Sequence, residues 1–143
     1  MMRELPGDVF VAGQLLPDHI NMLAEQGVMG IINNRPDGEA VGQPPESTLR
    51  AAADAAGIAY AHIPMAGSLL PDMLAASAEA FAEMPRPIVA FCASGTRSAA
   101  LWAFAHADKL GTDGALAAIS AVGYDLPQLR PQIEGYLARQ TAP

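Results

Sequence analysis

The chain alternates between short apolar runs and longer segments that carry helix start and stop signals. Asp8-Val9-Phe10-Val11-Ala12-Gly13, Val28-Met29-Gly30-Ile31-Ile32-Asn33, Ala59-Tyr60-Ala61-His62-Ile63-Pro64 and Pro87-Ile88-Val89-Ala90-Phe91 read as strands. The second and fourth are apolar without a polar face, the pattern of strands covered on both sides. Between them, Pro17-Asp18 opens a helix that closes at Gln26-Gly27, Pro45-Glu46 opens one that stops at Ala56-Gly57, and Pro71-Asp72 opens one running to about Met84. Ser98 to Leu110 reads as a further helix, followed by helical segments near Asp113–Ala121 and Pro127–Arg139. This alternation predicts an α/β fold, a mostly parallel central sheet of about four strands covered by helices, with residues 1–143 forming one domain. Ligands of such sheets sit beyond the carboxyl ends of the strands, which here gathers the loops 33–39, 64–70 and 92–97.

Composition narrows the function classes. The sequence has 143 residues, 51% hydrophobic and 16% charged, which suits one folded core. Its formal charge of −7 and lack of a basic stripe argue against nucleic-acid binding, and make any local cation at an anion site more valuable. No stretch approaches the ~20 apolar residues of a membrane helix, and the N-terminus lacks the apolar core of a signal peptide. The three histidines, His19, His62 and His106, show no ligand spacing, so no metal and no cofactor is expected. A single cysteine excludes an intrachain disulfide and agrees with an expected location in the reducing cytoplasm.

That cysteine stands at the most informative place in the chain. Cys92-Ala93-Ser94-Gly95-Thr96-Arg97-Ser98 lies where the fourth predicted strand hands over to a helix. The backbone N–H groups of a helix N-terminus have no intrahelical partners and carry partial positive charge. A turn wrapped round the sulfur would aim them at it and favour the reactive thiolate. Arg97 adds a fixed charge and a planar fork suited to oxyanions. Gly95 gives the turn conformational freedom, and Ser94, Thr96 and Ser98 offer hydroxyls to the sulfur or to a bound anion. The alternative, an inert core cysteine, does not account for the polar turn or the arginine. Other residues have plainer readings: His62 as a core or sheet-end histidine, His106 paired with Trp102 on a helix face, Trp102 as core, and Met22, Met29, Met73 and Met84 as core or gap filling.

The cysteine turn is similar to the active-site loops of rhodanese-type sulfurtransferases and cysteine-dependent phosphatases. Together, Val11-Ala12-Gly13-Gln14-Leu15, Ile32-Asn33-Asn34-Arg35-Pro36-Asp37-Gly38-Glu39, His62-Ile63-Pro64 and Ser94-Gly95-Thr96-Arg97-Ser98 with Leu101-Trp102 resemble the DUF442 family, also called the beta-lactamase-hydrolase-like, phosphatase-like domain. The resemblance spans roughly residues 3–110 and implies a protein tyrosine phosphatase-type fold. It also implies a link to sulfur transfer, since family members occur alone or joined to persulfide dioxygenase-like domains; a separate protein of that kind is an expected partner. Family members commonly carry arginine directly after the cysteine, where this chain has Ala93, so the cradle holds one cation fewer.

Two features separate the candidate chemistries. Four residues lie between Cys92 and Arg97, against five in tyrosine-phosphatase loops, and the shorter spacing matches rhodanese-type loops. Phosphomonoester cleavage also benefits from a carboxylic acid near the leaving oxygen, yet Pro64-Met65-Ala66-Gly67-Ser68 carries none. Asp72 and Asp37 are the candidate acids, with helix capping and turn formation as their plainer roles. Both features favour a sulfurtransferase: Cys92 takes a sulfane sulfur from a small anionic donor such as thiosulfate and passes it to a thiol acceptor. Arg97 orients the donor, and Arg35 either assists or is a solvated loop charge. The alternatives are a cysteine phosphatase using the same Cys92 and Arg97, or a module that binds persulfide or anion without turnover.

Overall fold

Strands of four residues build a five-stranded sheet in the computed structural model, which describes residues 2–141. The strands are β1 (Met2–Leu5), β2 (Val9–Ala12), β3 (Gly30–Asn33), β4 (Ala59–His62) and β5 (Ile88–Phe91), in spatial order β1-β2-β5-β3-β4. β2, β5, β3 and β4 run parallel; β1 pairs antiparallel with β2 at one edge. The expected parallel sheet is therefore present with one strand more than predicted. Met2-Arg3-Glu4-Leu5 escaped notice because an edge strand need not be apolar: Arg3 and Glu4 are exposed, and among these four residues Leu5 alone is buried.

β5 lies at the centre, between β2 and β3. Its side chains alternate between two cores. Ile88 and Ala90 join Val9, Val11 and Ile32 under helices α3 (Pro71–Glu83), α4 (Thr96–Ala121) and α5 (Arg130–Thr141). Val89 and Phe91 join Ala12 and Ile31 under α1 (Pro17–Glu25) and α2 (Glu46–Ala56). All four β5 residues are fully buried, which is why this strand reads as an unbroken apolar run. Trp102 is buried on α4, and His106 stacks on it with ring centroids 4.3 Å apart. Met73 and Met84 pack against the first core. Met22 and Met29 do not fill the core as expected; both are about half exposed, at 52% and 48%.

Helix boundaries follow the punctuation in the sequence. Gly57 ends α2 in a left-handed conformation (φ 76°), the usual glycine role at a helix C-terminus. The expected break between 110 and 113 is a kink at Gly111, which has non-helical φ/ψ inside the long α4. A 3-10 turn, Pro127–Leu129, leads into α5. Among the described residues, no helix is long and apolar enough to cross a membrane.

Candidate functional site

Because β5 ends between β2 and β3, the residue that follows it is flanked by the loops after both neighbours. That residue is Cys92. Its backbone N–H reaches the Ala12 carbonyl of β2 at 3.3 Å, while Asn34 N–H donates to the Phe91 carbonyl from the β3 side at 2.8 Å. Cys92 is 1% exposed, yet it is not an inert core thiol. The Gly95 N–H points at Sγ from 3.1 Å, and the N–H groups of Ser98, Ser94 and Arg97 add to it. Burial pushes the thiol pKa up and is the largest single influence, but these four donors outweigh it and the net shift is downward. Of the expected ring of amides, the Gly95 N–H lies within hydrogen-bond distance of the sulfur, and those of Ser98, Ser94 and Arg97 act on its charge. Gly95 makes it possible: it is the N-cap of α4 with φ 93°, a conformation side chains resist. Alkylation of Cys92 is accordingly expected to follow a thiolate titration with its midpoint below that of a free thiol. The rate should fall as pH drops through that midpoint, which an iodoacetamide pH profile checks.

The hydroxyls behave differently from expectation. Ser98 is buried and its Oγ donates to Asn34 Oδ1 at 2.8 Å, so it serves the cradle through its N–H and not its side chain. Ser94 Oγ and Thr96 Oγ1 pair with each other at 3.1 Å on the exposed side of the turn, and Ala93 is also exposed. The loop after β2 supports the turn from below. Gln14 N–H donates to the Ala93 carbonyl at 3.3 Å, and a Cβ on Gly13 would sit 3.0 Å from that same oxygen. This close approach explains glycine at position 13.

Arg97, in the first turn of α4, is held by the loops after β3 and β4. Its Nη1 donates to Glu39 Oε2 (2.8 Å) and to the Met65 carbonyl (2.9 Å), and its Nη2 to Glu39 Oε1 (2.9 Å). Three of the five guanidinium donors are so engaged. Bonding to Glu39 is the first cause that raises the Arg97 pKa, and the negative sulfur adds to it. Glu39 in turn accepts from Arg35 Nε at 2.9 Å, and Arg35 Nη1 donates to Gln14 Oε1 at 2.9 Å. Hydrogen bonds from Arg97 and then Arg35 hold the Glu39 carboxyl down to about 2. Arg35 is therefore not a solvated loop charge: its side chain is 12% exposed and it braces the carboxylate that braces Arg97.

The three loops expected at the site do converge on it, tied together by Asn34. Its Nδ2 donates to the Ile63 carbonyl (2.9 Å), its Oδ1 accepts from Ser98, and its carbonyl accepts from Met65 N–H (2.9 Å). His62 Nε2 lies 3.0 Å from the Arg35 carbonyl, at the sheet end as expected. Asn34→Ala leaves buried partners at Ile63 and Ser98 unpaired. It should lower unfolding free energy by about 2–4 kcal/mol, taking ~1–2 kcal/mol for each orphaned group, as urea denaturation would measure.

The candidate acids occupy plainer positions. Asp37 Oδ1 accepts the Glu46 N–H at 2.9 Å, capping α2 from the preceding loop. Asp72 lies exposed in the first turn of α3. Glu39, Asn34, Gln14, Met65 and Tyr124 are the neighbours that sequence reasoning did not select. Glu39 and Asn34 stood inside a recognised motif, but their partners Arg97 and Ser98 are 58 and 64 residues away, so no local spacing exposes the pairing.

With this geometry in view, similarity to known proteins carries weight. Residues 1–109 match the family described as "Beta-lactamase hydrolase-like protein, phosphatase-like domain". The chain belongs to this family. It is 38% identical over 98 residues to the beta-lactamase hydrolase-like protein of Agrobacterium fabrum, an alignment covering 68% of this chain and 23% of that one. The chain thus spans about a quarter of the length of the curated relatives it matches. Among solved structures, a proposed phosphatase of Neisseria meningitidis superposes with TM-score 0.79 at 24% identity, covering 93% of this chain and 96% of that one. The core catalytic domain of a PP-IP phosphatase from S. cerevisiae superposes with TM-score 0.65 at 16% identity, covering 97% and 91%. The fold is of the protein tyrosine phosphatase type, as expected. The preference for sulfur transfer finds no counterpart among these relatives, whose descriptions concern phosphatases and hydrolase-like proteins.

Proposed function

We propose that this phosphatase-like domain is a cysteine-dependent phosphatase acting on phosphoesters with acidic leaving groups. The observation that carries the reading is the Cys92 sulfur at the start of α4, with the Gly95 N–H 3.1 Å from it, the main-chain amides of Ser98, Ser94 and Arg97 also favouring its thiolate, and the Arg97 charge coupled to it. Membership of a phosphatase-like family supports it.

The thiolate attacks phosphorus, an S–P bond forms, and the P–O bond to the leaving oxygen breaks with its electron pair going to that oxygen. The turn's N–H groups and the uncommitted Arg97 donors hold the phosphoryl oxygens through this step. Water then attacks the phosphocysteine, releasing inorganic phosphate and returning the thiolate. The preference for an acidic leaving group comes from the carboxylates. None stands in the 64–70 loop, Asp37 caps α2, and Glu39 is ionised and bound to two arginines. A phenolate or similar leaving group departs without a strong general acid.

Sulfur transfer through a Cys92 persulfide is the second reading, favoured by the four-residue interval between Cys92 and Arg97. Phosphate release from a nitrophenyl phosphate, set beside sulfur transfer from thiosulfate to cyanide, separates them. The proposal expects turnover of the first that far exceeds the second. The reverse order would replace it with the sulfurtransferase reading.

A further inference from the structure

We propose that Tyr124, on the segment that follows α4, is a positioning residue that locks the Ser94–Gly95 peptide so that its N–H stays aimed at the Cys92 sulfur. The residue lies beyond the 1–109 stretch that the family match covers. Its hydroxyl donates to the Ser94 carbonyl at 3.3 Å. That carbonyl and the Gly95 N–H belong to one planar trans peptide, so they point in opposite directions. Holding the oxygen outward therefore holds the hydrogen inward, where Gly95 N lies 3.1 Å from Sγ.

Packing adds a steric element. A Cβ on Gly95 would fall 2.3 Å from the Tyr124 hydroxyl oxygen, so that oxygen rests directly over the glycine. Glycine's broad backbone freedom would otherwise let this peptide rotate. The tyrosine is itself tied to the edge of the sheet: Arg3 of β1 stands 6.0 Å over its ring and donates to the Val122 carbonyl at 2.6 Å. The edge strand that the sequence concealed thus anchors the residue that steadies the cradle.

The groups facing the sulfur are Arg97 on α4 and Tyr124, whose phenol is raised by burial and further by the nearby thiolate. Glu39 and Arg35 stand behind Arg97 on the loop after β3, and Arg3 on β1 stands behind Tyr124. Tyr124→Phe removes the hydroxyl and leaves those charges in place, so a changed Cys92 titration reports the peptide's orientation.

The test is the pH profile of Cys92 alkylation in the full chain, which does not depend on which group the cysteine transfers. Tyr124→Phe should raise the midpoint by about half to one pH unit and slow alkylation below the midpoint by about three- to tenfold. It should also lower kcat for nitrophenyl phosphate with little change in KM. An unchanged midpoint in a folded variant overturns the proposal. Should Tyr124→Phe fail to fold, backbone amide relaxation in the unaltered protein decides the matter. A Gly95 amide free of microsecond-to-millisecond exchange supports the lock, and exchange at Gly95 with the tyrosine in place overturns it.

Discussion

Cys92→Ser should lower phosphate release from an aryl phosphate by about 10⁴-fold or more, on the scale of other nucleophile deletions. The substitution changes one atom in a site built from main-chain donors. Those donors favour the thiolate enough to overcome the cost of burial, but a serine hydroxyl is far too weak an acid for them to ionise at neutral pH. The cradle itself should survive, because Gly95, Asn34 and Arg97 are held by partners other than the sulfur. Inorganic phosphate should therefore bind Cys92→Ser about as well as the unaltered protein, or better, since a competing negative charge has gone. Loss of turnover with phosphate binding retained assigns the sulfur to chemistry. Phosphate release undiminished in Cys92→Ser would remove Cys92 from the mechanism.

Arg97→Ala should cost about 10²- to 10³-fold in kcat/KM, comparable to losing a preorganised donor at a developing oxyanion. Arg97→Lys should recover only a small part, because an ammonium supplies charge without the planar fork that bonds Glu39 and Met65 together. A second readout follows from the same bonds. Glu39 is held at about 2 chiefly by Arg97 and then by Arg35. A carboxyl whose folded pKa is lowered contributes stability at pH above its ordinary range, and loses it as pH falls through the folded value. With Arg97 gone, the Glu39 titration should move up toward the ordinary value of 4.5, which carboxyl-carbon NMR would follow. A Glu39 titration unmoved by Arg97→Ala would mean that the ion pair does not form in solution.

The parts of the molecule that were legible in advance are those where local chemistry dictates the outcome. Unbroken apolar runs revealed the central strands, and Gly57 marked a helix end. The cysteine turn was legible because a thiol, a glycine and an arginine sit within six residues of one another. What escaped detection depends on distant partners. β1 is an edge strand whose exposed Arg3 and Glu4 give no apolar signal. Glu39 gains its role from Arg97, and Tyr124 from a peptide 30 residues earlier in the chain. The choice between phosphoryl and sulfur transfer was drawn from loop length and a missing acid. Loop length alone does not settle it, because N–H donors around a thiolate suit either group.

Acid-quenched intact mass spectrometry during turnover reads the transferred group at the cysteine. After brief exposure to nitrophenyl phosphate, Cys92 should carry one phosphoryl group, absent from Cys92→Ser, while thiosulfate should leave the protein mass unchanged. A sulfur atom added by thiosulfate, with no phosphoryl adduct or released phosphate from the ester, would contradict the account.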